Sequence, residues 1–450
     1  MDVRGHNDLE MAFGPAANAN LAEAVRSGRL DVAVLDDAVR RVLVAKIRMG
    51  LFETPYVDES RTEAVLSAPE HKQAALEAAE RSLVLMTNEG GVLPLIPGAH
   101  RRVAVIGPTA DSVDDTLGSW VFVAKNDETV TIAEGIRRRL GGSAQVTTAP
   151  GVELRRSTPS MFEMFKPAPP AWTPEQTRAE FDKAVQAASS ADLVVLVLGE
   201  GALMSGEGAS RVSLDLPGDQ MRLVEAVRAT GKPVVAVLTN GRPLDIAPLT
   251  AQVPAVLEAW YPGTQGGTAV ARALFGDINP GGKLPMTWPR SVGQIPIYYS
   301  HNKTKDPANQ GARYWDEPST PLFVFGHGLS YTSFAFSDLS VDRSSVGIGE
   351  PVKVTVTLTN TGARAGDEVA QLYIHQRSGR SSRPVRELKG FERVTLQSGE
   401  SRQVQFTLSE AELKYWSASE RDWVLDPATF DVWVGSDSTA PLATTFRVNP

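Results

Sequence analysis

Asp192-Leu193-Val194-Val195-Leu196-Val197-Leu198 is an unbroken apolar run, followed at once by Gly199-Glu200-Gly201-Ala202-Leu203-Met204-Ser205-Gly206-Glu207-Gly208-Ala209-Ser210-Arg211. The run has the length and branched content of a strand covered on both faces. The glycine-rich stretch is then a loop at that strand's carboxyl end, closing near Leu216-Pro217, and in open α/β sheets ligands bind outside those ends. Glu200 and Glu207 stand among four glycines, so the backbone can approach a ligand closely while a carboxylate is aimed at it. The same composition also describes a flexible surface turn with solvated acids.

Working outward, Val103 to Gly107, Val234 to Leu238 and Ala255 to Leu257 repeat the buried-strand pattern, with helical segments at Arg178–Ala188, Gln220–Ala229 and Thr268–Phe275. Strands alternating with helices imply a largely parallel sheet covered on its faces. Upstream, Asp31 is placed to cap a helix whose Leu35, Ala38, Val39, Val42, Leu43 and Ile47 form one apolar stripe ended by Gly50. A second helix is expected from His71 to about Met86, and Pro167 to Pro174 reads as a surface excursion. From about Phe334 the period becomes two, as in Val352, Val354, Val356 and Leu358, which predicts an antiparallel β-sandwich.

Composition narrows the function classes. The 450 residues are too many for one ordinary core. A net charge of -8 disfavours nucleic acid as a partner. Without cysteine there is no disulfide or thiolate chemistry, and six scattered histidines offer no zinc spacing. Residues 1–8 lack the apolar core of a signal peptide, and no apolar run is long enough to span a bilayer. Gly107-Pro108 stands where a dinucleotide site would need several glycines, and no phosphate loop occurs, so no cofactor is expected.

Ten stretches, in order along the chain, resemble glycoside hydrolase family 3 β-glucosidases of the bacterial periplasmic type. Among them are Asp8-Leu9-Glu10-Met11, Gly50-Leu51-Phe52, Gly118-Ser119-Trp120, Asn240-Gly241-Arg242-Pro243-Leu244, Asn279-Pro280-Gly281-Gly282-Lys283-Leu284-Pro285 and Phe325-Gly326-His327-Gly328-Leu329-Ser330-Tyr331. The resemblance implies a multidomain chain. Residues 1–51 would be the last βα unit of a (β/α)8 barrel, 52–97 a helical linker, and 98–300 an α/β sandwich carrying the acid/base loop. Residues 301–334 would be a second linker and 335–450 a fibronectin type III-like domain.

The resemblance also implies a retaining β-glucosidase acting on β-linked glucosides or short oligosaccharides, periplasmic or secreted, with no membrane or metal in its chemistry. Such chemistry needs one carboxyl to protonate the leaving oxygen and another to attack the anomeric carbon. Ser205 to Arg211 matches the family's mobile acid/base loop. Glu207 is then the proton donor, Arg211 is expected to orient it, and Arg211, Met204 and Glu200 are expected to contact substrate. Glu200, at the strand end, could equally hold the loop by hydrogen bonds.

The family's nucleophile follows a serine in a motif expected upstream of Asp8, and the Ser-Asp pairs present here, Ser337-Asp338 and Ser436-Asp437, fall in the sandwich. The chain is therefore expected to hold the acid/base half of the site, with the barrel supplied by an upstream or partner chain; a homodimer is the other assembly expected. The alternative is an inactive remnant serving as a sugar-binding or interaction module. Trp120, Trp260 and Tyr261 read as sugar platforms or core residues, His327 as structural, and Arg377, Arg380, Arg383 and Arg386 as a solvated run.

Overall fold

The computed structural model describes residues 8–11, 17–121, 126–160, 163, 170–303 and 313–450; residues 1–7 and the first three residues of the Pro167 to Pro174 excursion lie outside this set. Residues 1–71 and 72–450 form two compact units. In the first, α1 (Leu21–Arg26), α2 (Val32–Arg48) and α3 (Thr62–Leu66) are helices, and no strand occurs among its described residues. Asp31 caps α2 by accepting from the Ala33 N–H at 2.9 Å. Along its stripe Ala38 is buried, whereas Val39, Leu43 and Ile47 are exposed. Asp8 is held by Arg41 at 2.6 and 2.7 Å, and Glu10 accepts from the Asn18 N–H.

The second unit is built on a six-stranded sheet of β1 (Val84–Asn88), β2 (Arg102–Ile106), β3 (Gln145–Ala149), β4 (Leu193–Gly199), β5 (Val234–Thr239) and β6 (Ala255–Glu258). The spatial order is β1-β6-β5-β4-β2-β3, and every pair is parallel except β1 with β6. Alternate residues of the buried strands feed two cores. Val103, Val105, Val195, Val197, Val235 and Val237 pack with α4 (Pro69–Ser82), α6 (Ile132–Leu140) and α10 (Gly266–Leu274); α5 (Val113–Leu117) lies between β2 and α6 in sequence. Ala104, Val194, Leu196, Leu198, Ala236 and Leu238 pack on the other face with α7 (Pro174–Ser190), α8 (Gln220–Ala229) and α9 (Ala247–Thr250).

Two segments differ from the expected linkers. The helix from His71 ends at Ser82, and Val84–Asn88 is the antiparallel edge strand of the sheet, so the segment 52–97 is not simply a helical linker. The stretch 301–334 is likewise no free linker beyond residue 320: Phe323 bridges Trp288, Leu329 bridges Leu85, and His327 Nε2 bonds to Met86 O at 2.8 Å. Burial lowers the pKa of that histidine, and its ring stacks on Phe323.

Strand order reverses between β2 and β4: β3 lies outward of β2 on one side, β5 and β6 outward of β4 on the other. The crevice at such a switch point is where open sheets place ligands. A glycine follows β2 and another closes β4, Gly107 with φ 143° and Gly199 with φ 135°. A Cβ on Gly107 would stand 1.8 Å from Val197 O, and one on Gly199 2.0 Å from Thr239 O, so only glycine fits either place.

The C-terminal sandwich stacks a five-stranded sheet against a three-stranded one. Their strands are β7 (Phe334–Val341), β8 (Ser345–Gly347), β9 (Val352–Asn360), β10 (Gly366–Gln376), β11 (Glu387–Leu396), β12 (Ser401–Leu408), β15 (Ala428–Gly435) and β16 (Leu442–Asn449). Between them lie α11 (Glu410–Leu413) and the hairpin β13 (Tyr415–Ser417) and β14 (Asp422–Val424). The orders are β11-β10-β15-β16-β8 and β12-β9-β7, antiparallel except for the short β16–β8 pair. The arginine run is a solvated loop only in its first half, where Arg377 and Arg380 are exposed; Arg383 and Arg386 are partly buried. Arg377 and Arg380 pair with Asp431 and Asp426, Arg383 lies over the Tyr415 ring, and Arg386 lies over Trp433. The sandwich meets the α/β part through the buried pair Lys283–Glu368 at 2.8 Å.

Candidate active-site loop

The loop after β4 starts and ends on one buried side chain. Gln220, at the start of α8, accepts from the Gly199 N–H and donates to Gly199 O and Pro217 O, all at 2.8 Å. Glu200 follows, wholly buried, with its N–H on Thr239 O. Its carboxylate takes Arg211 Nη1 at 3.0 Å on one oxygen and Arg242 Nε at 3.1 Å on the other. A buried carboxylate is tolerated when paired and hydrogen-bonded, and two guanidiniums meet that condition.

Arg211 therefore does not orient Glu207 as expected: it spans Glu200 and Asp215 O, the latter at 2.9 Å. Met204, which closes a short 3₁₀ turn, is buried, so neither it nor Glu200 presents a side chain to solvent. Glu207 does the opposite. It is exposed, and it has no hydrogen-bond or ion-pair partner among the described residues. Gly206 and Gly208 on either side adopt φ 97° and 65°, the left-handed region, and so turn the chain sharply around it.

The backbone on both sides of Glu207 is fastened. Arg242 Nη2 donates to Met204 O and to Ala209 O, and Arg156 donates to Leu203 O at 2.6 Å and Gly208 O at 3.2 Å. Ser119 Oγ lies 2.6 Å from Ala202 O and 2.9 Å from Ser205 O, and Tyr261 OH donates to Gly201 O. Tyr261 is thus a loop support rather than an open platform. Trp120 is 57% exposed, has φ 66°, and sits where a Cβ on Gly206 would come 3.0 Å from its Nε1. Of the three aromatic residues singled out in the sequence, it is the one that pairs wide exposure with a place beside Glu207.

Beneath the loop, at the end of β6, Glu258 is fully buried. It accepts from the Trp260 N–H at 2.7 Å and from Asn240 Nδ2 at 3.1 Å, and burial pushes its pKa up to about 8. On the outer side of Arg211 a cleft of about 570 Å³ is lined by Asp215, Met221, Glu225 and Asp245. Among the described residues no group of three or more His, Asp or Glu is arranged to hold a metal. Sequence reasoning passed over Arg156, Gln220 and Glu258. Arg242 was visible as part of Asn240-Gly241-Arg242-Pro243, but nothing in that peptide tells that its guanidinium reaches a loop more than thirty residues upstream.

Residues 83–331 match the glycosyl hydrolase family 3 C-terminal domain, and residues 368–438 match a fibronectin type III-like domain. The chain belongs to glycosyl hydrolase family 3. A periplasmic β-glucosidase of Salmonella typhimurium is 40% identical over 427 residues, covering 92% of this chain and 55% of that protein. A β-xylosidase of Formosa agariphila is 36% identical over 410 residues, covering 90% of this chain and 54% of that protein. Among solved structures, a β-glucosidase of Listeria innocua in complex with glucose superposes with a TM-score of 0.83 at 34% identity, over 96% of this chain and 57% of that one. A β-glucosidase of Erythrobacter marinus gives a TM-score of 0.85 at 36% identity, over 96% and 57%. The chain thus spans about half the length of the relatives it matches.

Proposed function

We propose that this chain supplies the acid/base half of a retaining β-glucosidase of the family, with Glu207 as proton donor. The observation that carries this reading is the contrast between the two loop carboxylates. Glu200 is buried and doubly paired, whereas Glu207 is exposed, without a partner, and turned out of the loop by two glycines. A general acid must reach the leaving oxygen, and of the two loop carboxylates Glu207 is the exposed one, which supports this reading. In the first step Glu207 gives its proton to that oxygen as a carboxylate of the (β/α)8 barrel attacks the anomeric carbon; in the second, the Glu207 carboxylate takes a proton from the water that releases the sugar. The barrel would come from a partner chain or from sequence joined to this one, and the periplasm or cell exterior is the compartment that the Salmonella relative's name supports.

The test is hydrolysis of aryl β-glucosides by the chain, alone and mixed with a family 3 barrel, with aryl β-xylosides alongside because of the xylosidase relative. In the active assembly Glu207→Ala should slow substrates with poor leaving groups far more than activated aryl glucosides, and azide should restore part of the lost rate by attacking the glycosyl-enzyme without base help. Equal losses on both substrates without azide rescue would remove Glu207 from the role.

A further inference from the structure

Two arginines from different segments cross the Glu207 loop in the same manner. Arg156 ties Leu203 O to Gly208 O, and Arg242 ties Met204 O to Ala209 O. These carbonyls are adjacent on each limb, so the guanidiniums form two parallel cross-braces, with Ser205, Gly206 and Glu207 as the arch above them. We propose that Arg156 and Arg242 are positioning residues that hold the Glu207 carboxyl at a fixed height and direction, making the loop a braced arch rather than a freely moving flap. The proposal rests on the acid/base reading of Glu207 only where it concerns catalysis.

The chemistry favours arginine at both places. A planar guanidinium presents several donors in a fixed fork and can serve two carbonyls at once, whereas a lysine ammonium is a single point of charge on a flexible stem. The loop carbonyls it meets would otherwise be satisfied by water alone, and water does not set the separation of the two limbs. The braces differ in support. Arg242 is itself anchored to the buried Glu200 carboxylate, while among the described residues Arg156 donates to the two loop carbonyls and Thr158 O. Removing Arg242 therefore strips a partner from a buried charge and endangers the fold. Arg156 can be changed without that cost, so it carries the test.

The experiment has two readouts. First, hydrogen exchange is followed in the full chain for peptides across residues 200–212, in the wild type, Arg156→Met and Arg156→Lys. Loop amides such as Met204 and Ala209, which donate to Gly201 O and Gly206 O, should exchange at least tenfold faster in both variants, with β4 unchanged. Unchanged loop exchange would overturn the brace. Second, in the assembly with a family 3 barrel, Arg156→Lys should lower kcat on a poor-leaving-group glucoside about tenfold with little change in KM, and lower it less on an activated aryl glucoside. Faster exchange with equal losses on both substrates would reduce the brace to a structural tie and overturn its positioning role. If Glu207→Ala also failed to distinguish leaving groups, the acid/base reading would fall while the exchange result still stood.

Discussion

Arg242 reaches Glu200 through its Nε at 3.1 Å and the two limbs of the neighbouring loop through its Nη2, so one guanidinium joins a buried charge to the arch that carries Glu207. Glu200 is the fixed end of that connection. Glu200→Gln keeps the shape but leaves two guanidiniums facing a neutral amide, and breaking a buried pair from one side costs about 3–5 kcal/mol. The urea midpoint of the α/β part should fall accordingly. In an active assembly the same variant should depress good and poor leaving groups alike and show no azide rescue, in contrast to Glu207→Ala.

Glu258 gives the fold a dependence on pH. Buried at the end of β6, it is raised from its ordinary value of 4.5 to about 8, mainly by desolvation, with the Trp260 N–H and Asn240 pulling the other way. Between these values the folded chain keeps a proton that the unfolded chain has released. The stability linked to this group is therefore complete below about pH 4.5 and is lost as pH rises through about 8. Glu258→Gln should remove that slope, an effect on the order of a few kcal/mol, and thermal unfolding of both proteins from pH 5 to 9 would show it. Parallel pH profiles for the two proteins would mean that the carboxyl is ionised throughout.

Lys283 and Glu368 form the corresponding pair where the sandwich meets the α/β part, with Lys283 also donating to Gly328 O. Burial raises the Glu368 pKa while the lysine opposes the shift. Lys283→Met should destabilise by about 3–5 kcal/mol because it leaves the carboxylate alone in a dry junction. The double variant Lys283→Met with Glu368→Leu should recover much of that loss. A double-mutant cycle in urea checks this, and additive losses would contradict it.

The alternation of strands and helices was legible because β4, β5 and β6 are buried on both faces and leave near-continuous apolar runs. β3 was not, since Gln145-Val146-Thr147-Thr148-Ala149 is an edge strand with half of its side chains in water. β1 was absorbed into the preceding helix because Arg81-Ser82-Leu83-Val84 carries no glycine or proline to mark the change. At the site, the loop and both glutamates could be read from their glycines and spacing. The partners of Arg211 could not, because they depend on how far the chain folds back between Glu200 and Asp215. Charge pairing across a loop leaves no periodic trace in sequence, which is also why the partly buried places of Arg383 and Arg386 are not legible beside the exposed Arg377 and Arg380.

Gly107 and Gly199 admit no side chain at the rim of the sheet, and Gln220 staples the two ends of the loop that leaves from Gly199. The loop from Glu200 to Leu216 is therefore seated like a cartridge in a rigid socket. Ser205 to Gly208 project from this socket, so changes there would alter what the arch presents without disturbing strand register, so long as the two glycines, the one glutamine and the paired Glu200 stay in place.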